Sequence, residues 1–206
     1  MFGQSIIRIL FGLLLTAQAS AFDEGFDYTR LAQAQPTQTG DKVEVLEVFM
    51  YGCPHCRNLE PALTEWLKTL PEGAAFRRMP ATGWRWVPQA RAHYAARSLG
   101  KLDVFHPALF DAIHAQKRLI QTEDELVAFA TELGMEADAF RAAYNAPEVQ
   151  NQVRQDEMMV RNYGVENVPT LIVNGKYRVS LTQAGGHAHL FEVLDALLAQ
   201  ELGKGS

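Results

Sequence analysis

Two cysteines three residues apart are the residues of this sequence best suited to chemistry. Cys53 and Cys56 are its only cysteines, with Pro54 and His55 between them. A C-x-x-C spacing without other cysteines argues against a framework of structural disulfides and for two thiols that react as a unit. The pair is therefore either a redox dithiol or half of a metal site.

The neighbouring segments predict that Cys53 lies at the start of a helix. Residues 43–50 are β-rich and nearly all apolar, as in a strand that is buried on both faces. Tyr51-Gly52 ends this strand, and Pro54 suits the first turn of a helix, where its missing N–H costs nothing. The helix is predicted from the helical spacing of the apolar residues Leu59, Leu63, Trp66, Leu67 and Leu70.

A helix N-terminus favours the thiolate form of Cys53. Unpaired N–H groups and the helix dipole both stabilise a negative charge there, so they lower the pKa of this thiol. Cys56 lies one turn further on, with its Cα about 5 Å away, within disulfide range. His55 adds a hydrogen-bond donor and, when protonated, a positive charge. Because a stabilised thiolate makes the disulfide oxidising, the motif predicts a disulfide donor.

Two alternatives remain for the dithiol. Zinc could take further ligands from the histidines, but structural zinc sites usually show a second ligand pair at regular spacing, which this sequence lacks. The histidines considered are His93, His106, His114, His187 and His189. A purely structural disulfide is disfavoured because two intervening residues restrain little of the unfolded chain. We expect no metal and no cofactor.

Glu47 is a second candidate for chemistry. It lies in the predicted buried strand, six residues before Cys53, where an unpaired carboxylate is costly. Burial should raise its pKa, so that it can pass a proton to Cys56. Alternatively, Glu47 faces a solvated edge or a basic partner and has no part in catalysis.

The N-terminus predicts export. Arg8 precedes the apolar run of residues 9–15, and residues 17–21 contain two overlapping A-x-A cleavage sites. We predict a signal peptide over residues 1–21, cleaved after Ala19 or Ala21, with an uncleaved membrane anchor as the alternative. In an exported compartment thiols are not held reduced by glutathione and thioredoxin, so a C-x-x-C pair in that compartment is expected to form or exchange disulfides.

Composition and patterning predict an α/β protein. The chain of 206 residues is 48% hydrophobic, and its net charge of −5 argues against nucleic-acid binding. A β-α-β segment over residues 22–80 is followed by a helical block over 81–146, and residues 147–206 have the order α-β-β-α, with a hairpin at Asn174-Gly175. This order predicts a thioredoxin-like fold, a mixed sheet flanked by helices, interrupted by an all-helical subdomain.

Three motifs together resemble one family. Glu47-Val48-Phe49, Cys53-Pro54-His55-Cys56 and Val168-Pro169-Thr170, with a helical block between them, resemble the DsbA family of periplasmic thiol:disulfide oxidoreductases. The resemblance extends from Glu24 to the final helix. C-P-H-C followed far downstream by V-P-T is a specific combination, whereas C-x-x-C alone is not.

The resemblance implies roles for individual residues. Cys53 would be the attacking thiol and Cys56 the resolving thiol of the motif that contains Pro54 and His55. Pro169 would be a cis-proline facing the dithiol, and Val168 would pair with a substrate peptide as an added strand. Glu47 would be the buried acid, although the lysine that some members place near it is absent and the segment offers only Arg77 and Arg78. By analogy, Trp84-Arg85-Trp86 would rim the substrate groove, unless these aromatic residues pack the domain junction.

The implied function is disulfide donation in the periplasm. The Cys53–Cys56 disulfide would pass to cysteines of newly exported polypeptides, and a DsbB-like membrane partner linked to quinone would reoxidise the protein. A monomer is expected. The alternatives are a reductase or isomerase, and a non-enzymatic exported protein whose dithiol binds a soft ion such as Cu(I).

Overall fold

A computed structural model describes residues 22–83 and 85–204. The predicted signal peptide, residues 1–21, and Trp84 of the proposed groove rim lie outside the described residues. No helix in the described ranges combines the length and the apolar character needed to cross a membrane.

The described residues form five strands and eight helices in one α/β arrangement. The strands are β1 (Thr29–Arg30), β2 (Val43–Phe49), β3 (Ala74–Pro80), β4 (Thr170–Val173) and β5 (Tyr177–Ser180). The helices are α1 (Pro54–Leu67), α2 (Val87–Ser98), α3 (Leu102–His114), α4 (Glu123–Glu132), α5 (Ala137–Asn145), α6 (Pro147–Asn162), α7 (Leu181–Ala184) and α8 (His187–Leu202).

The strands form one mixed sheet in the order β1-β5-β4-β2-β3. β2 pairs in parallel with β3 and antiparallel with β4. Every residue of β2 is buried, which explains the nearly continuous apolar run in the sequence. The β4–β5 hairpin turns at Asn174 (φ 51°) and Gly175 (φ 63°), a left-handed conformation that favours these two residue types. The predicted mixed sheet is confirmed.

The helical block has its own apolar core, centred on aromatic side chains such as Phe105, Phe129 and Phe140. The predicted Thr122–Glu125 capping box is present at the start of α4. The same core includes Tyr51 and Cys56 from the segment that follows β2. The dithiol therefore lies where the sheet and the helical block meet.

Helix α6 contacts both parts of the molecule. Val149 and Val153 near its start pack against α2, whereas Met159 and Val160 near its end pack against the sheet. Sequence patterning did not predict the two-residue strand β1 or the single-turn helix α7. Both are too short to produce a periodic pattern.

Candidate active site

The segment between β2 and α1 places Cys53 at the N-cap of α1. Cys53 has an extended backbone (φ −89°, ψ 115°), and its sulfur accepts a hydrogen bond from the Cys56 N–H at 3.4 Å. Pro54 occupies the first turn of α1, as its residue type predicts. Both cysteines are free thiols, and they approach each other to 3.3 Å.

The two thiols differ in their affinity for protons. A hydrogen bond from the Cys56 thiol, followed by backbone N–H groups of Cys56 and His55, outweighs the effect of burial and lowers the pKa of Cys53 to about 6. The charge of His55 adds the smallest of these contributions, and its side chain is exposed. Burial, followed by the neighbouring Cys53, raises the pKa of Cys56 far above its ordinary value.

Val168 and Pro169 face the dithiol from the loop before β4. Their peptide bond is cis, and the Cys53 thiol donates to the Val168 carbonyl oxygen at 3.4 Å. A groove of about 330 Å³ extends from this point and is lined by His55, Val168 and Pro169 together with the α7 segment. That segment contributes Leu181, Thr182, Gly185, Gly186 and His187. No local sequence signal predicts that the α7 segment lies beside the dithiol, because the tertiary fold alone brings the two together.

Glu47 is fully buried and paired with a cation. Arg78 of β3 donates from Nε to Glu47 Oε2 at 3.1 Å, whereas Glu47 Oε1 has no hydrogen-bond partner within the described residues. Burial raises the pKa of Glu47 to about 8 although Arg78 lowers it. An arginine thus stands beside this acid, where sequence analysis found no lysine.

Glu60 is a site residue that sequence analysis missed. Arg78 Nη2 lies 3.1 Å from Glu60 Oε2, so a single guanidinium bridges Glu47 and Glu60. A signal was available, because Cys53, Cys56 and Glu60 have the i, i+3, i+7 spacing of one helix face. Burial raises the pKa of Glu60, but hydrogen bonds and charges from His106 and Arg78 outweigh it, so the net pKa is lowered.

The histidines considered as zinc ligands serve different neighbours. His93 and His106 both contact the Tyr51 hydroxyl. His114 donates from Nε2–H to the Tyr51 carbonyl oxygen at 2.7 Å. His189, near the start of α8, lies 2.8 Å from Asp27.

Trp86 covers the backbone just before the dithiol. A Cβ added at Gly52 would lie 1.8 Å from Cη2 of the indole, so only glycine fits beneath this ring. Trp86 therefore packs at the junction of the two parts of the fold, beside the candidate active site.

Fold and site together define a thiol:disulfide oxidoreductase with a thioredoxin fold and a helical insertion. The model of the DSBA-like thioredoxin domain matches residues 84–197. The chain belongs to this DsbA family.

Relatives match over most of their length. The thiol:disulfide interchange protein DsbA of Azotobacter vinelandii is 36% identical over 178 residues, which cover 86% of this chain and 83% of that protein. The Pseudomonas aeruginosa protein of the same name is 34% identical over 193 residues, covering 93% and 90%. A crystal structure of Pseudomonas aeruginosa DsbA superposes with a TM-score of 0.85 at 32% identity, covering 89% of this chain and 96% of that one. The crystal structure of DsbA from Xylella fastidiosa superposes with a TM-score of 0.80 at 31% identity, and the match covers 86% of this chain and 96% of that one.

Proposed function

We propose that this protein donates its Cys53–Cys56 disulfide to cysteines of newly exported polypeptides in the periplasm. The observation that carries the proposal is the contrast between the two thiols: the pKa of Cys53 is lowered to about 6, and the pKa of Cys56 is raised. A stabilised Cys53 thiolate favours the reduced protein, so the disulfide is a good electron acceptor.

The reaction proceeds by two thiol–disulfide exchanges. A substrate thiolate attacks Cys53 Sγ, the Cys53–Cys56 bond breaks, and a mixed disulfide forms while Cys56 leaves as a thiolate. Protonated Glu47 supplies a proton to Cys56, whose burial disfavours the charged form. A second substrate thiolate then attacks the substrate sulfur of the mixed disulfide, so Cys53 leaves as a thiolate and the substrate keeps the disulfide.

The loop before β4 positions the substrate in this proposal. The backbone of Val168 pairs with the substrate peptide as an added strand, and Pro169 holds that backbone against the dithiol. The groove beside them receives the flanking side chains of the substrate. A DsbB-like membrane partner then takes two electrons from the dithiol into quinone and restores the disulfide, and the protein works as a monomer.

Equilibration with glutathione tests the direction of transfer. We expect the protein to remain largely reduced in mixtures that keep an ordinary structural dithiol oxidised. A couple that stays oxidised in strongly reducing glutathione would favour the reductase alternative.

Trapping experiments test the two cysteine roles. Cys56→Ser should accumulate mixed disulfides with a substrate that contains disulfides, such as scrambled ribonuclease A, because Cys53 can attack a substrate disulfide and no resolving thiol remains to release it. Cys53→Ser should trap nothing and should lower disulfide transfer to the uncatalysed rate. Trapping by Cys53→Ser instead would reverse the assignment.

A further inference from the structure

The chain makes a tight turn between β2 and Cys53. The Cys53 N–H donates to the Met50 carbonyl oxygen at 3.0 Å, so Tyr51 and Gly52 are the two central residues of a β-turn. Neither central residue has a positive φ, so the turn has type I geometry. A glycine at the third position of the turn also gives access to the type II form, in which that residue takes a positive φ.

The two forms of this turn differ in the orientation of one peptide group. Rotation of the Tyr51–Gly52 peptide exchanges the directions of the Tyr51 carbonyl oxygen and the Gly52 N–H, and it leaves the bond from Cys53 to Met50 in place. The side chain of Tyr51 is already anchored, because its hydroxyl contacts two histidines of the helical block. The orientation of this one peptide group is therefore the freedom that remains in the turn.

His114, the last residue of α3, contacts that peptide group. Its Nε2–H donates to the Tyr51 carbonyl oxygen at 2.7 Å, a bond that the type II form would break. Tyr51 is only 1% exposed, so water is not at hand to replace the lost donor. Helix α3 also holds the chain after Cys53, since Asp111 Oδ1 accepts from Arg57 Nε at 3.1 Å.

The sulfur of Cys53 depends on the position of its backbone. It accepts from the Cys56 N–H at 3.4 Å, and backbone N–H groups of Cys56 and His55 are among the contacts that lower the pKa of Cys53. Because hydrogen bonds weaken steeply as their geometry departs from alignment, a displaced Cys53 would lose part of this stabilisation. Its pKa would then rise.

We infer that His114 is a positioning residue for Cys53. By holding the Tyr51 carbonyl oxygen it keeps the turn in the type I form, and it thereby keeps the Cys53 sulfur at the N–H groups that begin α1. A side chain of the helical block thus sets the reactivity of a thiol in the thioredoxin-like part of the fold. The inference rests on the proposed function, in which Cys53 is the attacking thiol.

Removal of the donor tests the inference in the full protein. His114→Phe keeps a ring but loses the hydrogen bond, so the population of the type II form should rise about tenfold. The proton affinity of Cys53, followed by thiolate absorbance against pH, should increase about fivefold from the wild-type pKa of about 6. The nuclear Overhauser effect between Tyr51 Hα and the Gly52 N–H should strengthen, because these hydrogens are closer in a type II turn.

Two further variants separate positioning from general stability. His114→Gln keeps an N–H donor and should restore both wild-type readings. Asp111→Asn weakens the other contact of α3 without touching the turn, so it should leave both readings unchanged.

The inference requires both changes in His114→Phe. An unchanged proton affinity of Cys53, or an increase without a stronger Overhauser effect, would overturn it, and so would a loss of stability in urea melts as the only effect. The glutathione equilibrium of the wild type tests the disulfide-donor function separately. An oxidising wild-type couple together with an unchanged Cys53 in His114→Phe would remove only this inference.

Discussion

At the scale of residues, the two thiols are distinguished by their neighbours. Cys53 receives hydrogen bonds from Cys56 and from backbone N–H groups, whereas Cys56 is wholly buried beside Glu47. These contacts separate the pKa values of two chemically identical groups in opposite directions. The exposed His55 contributes least to this difference.

Replacing His55 tests how much of the Cys53 pKa the helix N-terminus sets. His55→Ala should raise the pKa of Cys53 from about 6 but leave it below its ordinary value of 9.0, because the Cys56 thiol and the backbone donors remain. The thiolate absorbance near 240 nm, followed against pH, measures the change. Asn58→Ala on the exposed face of α1 is a matched control. A pKa at the ordinary value would show that the imidazole dominates.

Replacing Arg78 tests the bridge between the two acids. Arg78→Met leaves Glu47 and Glu60 without their shared cation, so unfolding at pH 8 should become easier by about 3–5 kcal/mol. The loss should shrink at pH 4, where protonation removes the unbalanced charges. Urea melts at both pH values measure this loss in the free energy of unfolding. Arg78→Lys keeps the charge and should lose less, and an equal loss in both variants would contradict the electrostatic explanation.

At the scale of elements, the start of α1 is fixed by the loop that leads into α2. Trp86 lies on Gly52, so the helical block contacts the backbone that carries Cys53. The structure shows this contact for Trp86, rather than a substrate-facing position.

A double-mutant cycle tests this contact. Gly52→Ala should displace the indole and cost about 1–3 kcal/mol, as overpacking does. Once Trp86→Ala has removed the ring, the added methyl should cost little, so the double variant should resemble Trp86→Ala alone. Thermal melts of the four proteins give the coupling energy. If the losses in stability of the two single variants were additive, Gly52 and Trp86 would not be coupled, and the contact between them would not explain the glycine.

At the scale of the whole molecule, the redox state is coupled to folding. The pKa of Cys53 is 9.0 when unperturbed and about 6 in the folded dithiol form. A depressed pKa contributes stability that is complete above pH 9 and is lost as the pH falls through 6. The disulfide form has no such thiolate, so only the reduced protein gains this contribution.

The stability difference between the two forms should therefore depend on pH. The reduced protein should gain stability relative to the oxidised protein as the pH rises from 6 to 9, and the difference should be constant below about pH 5. The raised pKa of Glu47 in the dithiol form acts oppositely, because a buried acid with a raised pKa loses stability relative to the unfolded chain as the pH rises. Denaturant melts across this range measure the difference, with the double variant Cys53→Ser/Cys56→Ser as the baseline. A difference that does not change with pH would mean that no thiolate is stabilised.

The sequence alone determined what depends on neighbours along the chain. The C-P-H-C spacing, the strand that ends at Tyr51-Gly52 and the turn at Asn174-Gly175 are local, since backbone sterics and side-chain periodicity act over a few residues. Only the tertiary structure decided which distant groups meet the dithiol. Arg78 and His106 come from other elements, and their separation along the chain carries no periodic signal. Close packing of the sheet against the helical block brings them together, because a buried carboxylate must find its partners wherever the fold supplies them.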